Sequence, residues 1–107
     1  MLRLELVVLA ILTSIVPAYA AGKTPVDPTF KGNCVFCHGE DGTGKTPPGM
    51  ALGAHDLSSR EIQKKTDAEL ARTITQGQNK MPSFANKLDE TQIRDVIRYI
   101  RTLGKKN

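Results

Sequence analysis

Cys34-Val35-Phe36-Cys37-His38 is the stretch on which the reading of this chain turns. Two cysteines separated by two residues and followed at once by histidine form C-x-x-C-H, the attachment pattern for a c-type haem. On one helical turn, each thiol can add to one vinyl group of a single porphyrin. The next residue, His38, then projects its imidazole under the iron as an axial ligand. Both cysteines of the chain lie in this motif, so none is left for a separate disulfide. Three rival readings are weaker. A zinc site needs four good ligands, and beyond the cluster only His55 is an obvious candidate. A thioredoxin-like redox pair wants a βαβ setting, which the sequence lacks. A structural disulfide leaves His38 unexplained.

Outside the motif, the chain itself is short, at 107 residues, which allows one domain. Leu6 to Val16 is a mostly apolar run broken by Pro17, and Ala18-Tyr19-Ala20 has the small residues of an A-x-A cleavage site. A bilayer-spanning helix needs about 20 apolar residues, more than this run holds. Residues 1–20 therefore read as a cleaved secretory signal, and 21–107 as a single domain in the periplasm. Removing 20 of the 107 residues leaves 87, with Phe30, Phe36, Phe84 and Tyr99 as the aromatics. A domain of that size buries a limited core and usually needs a staple. A covalently held porphyrin fills the missing core better than one short disulfide loop, which constrains little chain entropy.

The formal net charge is +4, and Arg3 and Glu5 cancel within the signal, so the mature part keeps it. Such a balance suits an acidic partner or an anionic surface. Nucleic-acid binding is not expected: the basicity is mild and no recognition motif is present. Gly42-Thr43-Gly44-Lys45-Thr46 lacks the spacing and the preceding strand of a phosphate loop.

Helical signals dominate the rest. Asp27-Pro28 is a good helix start, and the first helix is expected from about Pro28 to Cys37, with Phe30 on the side of Cys34. His38 to His55 is crowded with glycine and proline, and no regular structure is expected there. A loop that long in a small domain needs something to wrap around. Leu57 to Lys65 predicts a short helix after Ser58 or Ser59. Thr66 and Glu69 form a capping box for a helix that Gly77 stops. Gln78 to Lys87 is irregular. Asp89 and Gln92 start the last helix, where Ile93, Val96, Ile97, Ile100 and Leu103 share one arc and Gly104 ends it. Arg94, Arg98, Arg101 and Lys105 form a separate basic stripe. It reads either as a solvated face or as an electrostatic guide for an acidic redox partner. The fold class is all-α, with three to four short helices around one haem.

For the second axial ligand, placement favours Met81. Pro82 keeps it on an extended loop, and the chain has room to travel round to the other haem face. Met50 and His55 are the alternatives, and a lone Met is otherwise core filler.

With these residues in hand, the chain resembles the small soluble bacterial monohaem class I cytochromes c. The resemblance rests on the export signal, one C-x-x-C-H near the mature N-terminus, the Lys80-Met81-Pro82-Ser83-Phe84 segment and a basic amphipathic C-terminal helix. It covers essentially the whole mature chain. It implies haem c bound through thioethers from Cys34 and Cys37, with His38 as proximal and Met81 as distal iron ligand. It also implies Phe30 packed on the last helix near Ile97, Tyr99 and Ile100, and a carbonyl of Pro47 or Pro48 receiving the second N–H of His38. The family often places glycine eight positions before the first cysteine. Here that position is Val26, so the helix crossing should be looser or use Gly32. The implied function is one-electron transfer between redox protein partners by a monomer that is not an enzyme and has no membrane span once the signal is removed. A haem sensor or weak peroxidase with a labile Met81, and a zinc-binding module, are the readings of a different class.

Overall fold

The computed structural model describes residues 24–105; the signal reading falls outside them. Six helical segments follow one another: α1 Pro28–Asn33, α2 Val35–His38, α3 Pro47–Leu52, α4 Arg60–Gln63, α5 Asp67–Gln76 and α6 Glu90–Gly104. The described residues contain no strand, only an isolated antiparallel bridge between Gln78 and Met81. The architecture is all-α, as the sequence implied.

Local chemistry accounts for the boundaries. Asp27 caps α1 by accepting from the Phe30 amide, with Pro28 at the first position. The expected helix over 28–37 is interrupted at Cys34, whose ψ of −32° is helical but whose φ of −120° is not. The turn restarts there, because the Cys34 carbonyl accepts from the His38 amide at 2.9 Å. Ser59 caps α4, and the Thr66/Glu69 and Asp89/Gln92 capping boxes open α5 and α6. All three lie where the sequence put them.

The stretch from His38 to His55 departs from expectation, because α3 forms inside it. Thr46 accepts from the Gly49 amide, Pro47 and Pro48 fill the first turn, and Gly53 closes the helix in the left-handed region at φ 69°. Proline at the start and glycine just past the end are helix-boundary signals. Their density in this stretch reads equally well as loop.

The core lies between α6 and everything else. Phe30, Val96 and Leu103 are almost fully buried. α1 crosses α6 with the Phe30 and Tyr99 rings 4.6 Å apart at 57°, a tilted pair worth about 0.5–1.5 kcal/mol beyond the area it buries. Val26 packs against this core from the chain before α1. Gly32 does not make the crossing: a Cβ there would meet nothing within 4 Å. Tyr99 also donates its hydroxyl to the Glu40 carbonyl at 2.6 Å, tying α6 to the loop after α2.

Arg101 stitches α6 to the α4–α5 connection. Its Nη2 donates to the Lys65 carbonyl at 2.6 Å and to Asp67 Oδ1 at 2.8 Å, and its Nη1 to the Gln63 carbonyl at 3.0 Å. Gln63 in turn donates to the carbonyls of Leu57 and Ile100. The expected basic stripe is therefore not a uniform free face. Arg94 lies near Glu90 at 4.0 Å and Arg98 near Asp95 at 3.3 Å, and both stay exposed, while Arg101 is a structural brace.

Candidate haem site

The C-x-x-C-H turn sits at the junction of two connected clefts. Cys34, His38, His55 and Met81 line both of them. The inner cleft continues along Leu57, Ile62, Leu70, Ile74, Val96 and Ile100 and holds roughly 800 Å³ of empty space, its mouth included. The outer one opens past Phe36, Cys37, Leu52, Pro82, Lys80 and Lys87. A hydrophobic hollow of this kind, with a few convergent polar groups, is what a large planar apolar cofactor needs. No buried side-chain nitrogen or oxygen among the described residues lacks a hydrogen-bond partner.

The His38 ring is oriented by the backbone. Its Nδ1 lies 3.0 Å from the His55 carbonyl oxygen, so a proton on Nδ1 donates there and leaves Nε2 as the free lone pair. This corrects the expectation of a Pro47 or Pro48 acceptor. Both prolines lie in the first turn of α3, where helical carbonyls point along the axis toward the C-terminus. Burial lowers the His38 pKa, the His55 carbonyl contact opposes that shift, and the nearby His55 ring adds to it. The neutral imidazole that a metal requires is therefore favoured.

Burial pushes the Cys34 thiol up to about 12, with Asp27 and Cys37 adding to the effect. Burial thus favours the thiol form of Cys34, which argues against a thiolate metal ligand. Both cysteines are free. Among the described residues no three His, Cys, Asp or Glu side chains gather as a metal cluster.

The floor of the turn is α3. Thr46 Oγ1 donates toward the carbonyls of Phe36 and Cys37, at 2.9 and 2.7 Å. Gly49 is buried so close beneath Cys37 that a Cβ would collide with the Cys37 carbonyl oxygen. Sequence reasoning missed Thr46, Gly49 and the His55 carbonyl. The T-P-P-G run was their only trace, and it names a cap without naming what the helix packs on.

Met81 is held by a tight turn. Its amide donates to the Gln78 carbonyl at 2.8 Å and its carbonyl accepts from the Gln78 amide at 3.1 Å. Ser83 Oγ donates to the Thr75 carbonyl and the Phe84 amide to that of Ile74, fastening the segment to the end of α5. Of the alternatives, Met50 is 72% exposed and lines neither cleft. His55 does line them, but its own carbonyl is tied to the His38 ring.

Residues 23–100 match the family model described as cytochrome C oxidase, cbb3-type, subunit III. The chain belongs to this c-type cytochrome family. The cytochrome is 35% identical over 85 residues to the cbb3-type cytochrome c oxidase subunit CcoP of Azospirillum brasilense, covering 78% of this chain and 28% of that one. It is 29% identical over 96 residues to cytochrome c6 of a Picosynechococcus species, covering 85% and 81%. The solved KustC0563 c-type cytochrome superposes with a TM-score of 0.64 at 29% identity, covering 69% of this chain and 90% of that one. The cytochrome thus spans under a third of the oxidase subunit and most of the two small proteins. It is a small monohaem class I cytochrome c whose cofactor is haem c with its iron. The apolar hollow, the free cysteines and the neutral, oriented His38 all fit that cofactor.

Proposed function

We propose that this cytochrome is an exported, single-haem carrier that shuttles one electron between redox partners. In this reading Cys34 and Cys37 hold the haem by thioethers, His38 is the proximal ligand and Met81 the distal one. When bound, the haem supplies a one-electron ferric/ferrous couple. The observation that carries the reading is that His38 and Met81 line the same apolar clefts, with His38 pre-oriented by the His55 carbonyl.

Each residue has a physical task. Cys34, kept protonated by burial, presents a thiol at the cleft. His38 offers Nε2 with its tautomer fixed, and the carbonyl contact raises its basicity as a ligand. Met81 offers a thioether, which favours the reduced state relative to a second histidine. Filling both axial positions leaves no place for a substrate, so the protein is a carrier and not an enzyme.

Residues 1–20 are proposed as the cleaved signal, residues 21–107 as the monomeric domain and the periplasm as its place. Among the described residues no helix is long and apolar enough to cross a membrane. Partners are proposed to dock transiently at the cleft mouth, through an interface below about 1,200 Å².

Absorption spectra of the full chain, exported in a host with haem-maturation machinery, test the assignment. A reduced c-type band that survives acid–acetone extraction supports Cys34 and Cys37. The weak long-wavelength sulfur–iron band of the oxidised form, lost in M81A, supports Met81. A covalent haem without that band, or rapid carbon monoxide binding at neutral pH, removes Met81 and moves the sensor or peroxidase reading forward.

A further inference from the structure

The inner cleft has one charged corner. Lys65 is its only lysine or arginine among the described residues, with Glu61 four residues earlier. Neither side chain takes part in a salt bridge. The Lys65 backbone is nevertheless fixed: its amide donates to the Ile62 carbonyl at 3.1 Å, and its carbonyl accepts from Arg101. A cation on an anchored backbone, whose charge also acts on Glu69 of α5, is thus held at the rim of an apolar hollow.

Porphyrin chemistry says what belongs beside it. The two vinyl groups that become thioethers lie on one side of the macrocycle, and the two propionates lie on the other. Cys37 lines only the outer cleft, whereas Lys65, Thr73 and Gln78 line only the inner one. Anchoring at the cysteines therefore directs the carboxylates away from Cys37 and toward the inner rim. We infer that Lys65 is the propionate-binding residue of this cytochrome, pairing its ammonium with a haem carboxylate, while Glu61 opposes that pairing. The inference rests on the thioether attachment proposed above.

The electrostatic consequence has a sign. A cation beside the propionates offsets negative charge near the iron and favours the ferrous state, so Lys65 raises the reduction potential and Glu61 lowers it. An opposite charge within about 4–6 Å stabilises a carboxylate by one to three pKa units, so the propionates should also be held ionised by Lys65. The other titratable groups lining this cleft are Cys34, His38 and His55.

The test uses the full chain matured with haem, with variants K65Q, K65R, E61Q and K64Q. Lys64 lines neither cleft, so K64Q changes the same net charge outside the site. Optical redox titration should show the potential falling in K65Q by more than in K64Q, kept in K65R, and rising in E61Q. Redox-difference infrared spectra should show the propionate carboxylate band displaced in K65Q and in place in K64Q. Equal shifts in K65Q and K64Q, or an unmoved carboxylate band, overturn the inference. Should K65Q fail to mature, E61Q decides: a raised potential supports the inference, and an unchanged or lowered one overturns it. A wild-type chain lacking covalent haem overturns the attachment reading and this inference together. A normal wild-type spectrum with equal lysine variants overturns the inference alone.

Discussion

Cys37 rests its carbonyl directly on Gly49, with no room between them for a methyl group. The C-x-x-C-H turn and α3 are thereby locked at backbone contact, and Thr46 Oγ1 bridges the same two segments. Gly49→Ala should displace the turn, lowering the yield of covalent haem and destabilising the fold by about 1–3 kcal/mol, the usual cost of overpacking. Gly32→Ala is the contrast. It sits in α1 with open space around its Cβ position, and should stabilise by about 0.4–1 kcal/mol. Haem content and thermal midpoints of the two variants, measured side by side, check both signs.

A second prediction concerns pH. Burial raises the Tyr99 pKa above its ordinary value, and the charges of Glu40 and Asp41 add to the effect. The folded state thus favours the neutral phenol that donates to the Glu40 carbonyl. The stability contributed by that shift is fully present below the unfolded pKa of about 10, and is lost as pH rises through the higher folded value. Tyr99→Phe keeps the ring contact with Phe30 and loses the hydrogen bond, at about 1 kcal/mol near neutrality. Denaturant midpoints from neutral to alkaline pH should converge for the two proteins at the alkaline end. A constant gap would remove the titration from the account.

The arginines of α6 should separate sharply. Arg101 satisfies two backbone carbonyls and Asp67 from a largely covered position, so Arg101→Ala should cost about 1–2 kcal/mol in denaturant titrations. Arg94 is exposed and 4.0 Å from an exposed Glu90. Its replacement by alanine should stay within about 0.5 kcal/mol.

That contrast marks the limit of what the sequence made legible. Helix ends were readable wherever the signal is local: the capping boxes at Thr66 and Asp89, Ser59 before α4, Pro28 after Asp27. The motif's spacing led one to expect Cys34, His38 and Met81 around one hollow, and all three line both clefts. Whatever depends on a distant partner was not readable. The His38 acceptor is a backbone carbonyl 17 positions away, and any residue type there would supply one. Arg101 resembles its neighbours on the stripe until Asp67 and the α4–α5 carbonyls are brought beneath it. Gly49 looked like one more loop glycine because the clash that excludes a side chain comes from another segment.

The last prediction concerns where charge guides encounter. Arg94 and Arg98 face the groove between α5 and α6 and line neither haem cleft, whereas Lys80 and Lys87 line the outer mouth beside Phe36 and Leu52. No Asp or Glu lines that mouth among the described residues. The Debye length is about 8 Å at physiological salt, so charges at the mouth act on an approaching anion far more strongly than charges on another face. Oxidation of the ferrous protein by ferricyanide, a compact trianion, should therefore slow several-fold at low salt in the Lys80→Glu, Lys87→Glu double variant. The matching Arg94→Glu, Arg98→Glu variant changes net charge by the same amount and should slow it less. The difference should shrink as salt is raised, since steering is screened while intrinsic transfer is not. Equal slowing in both variants would mean that net charge alone governs encounter, and a larger effect of the arginine pair would return the guide to α6.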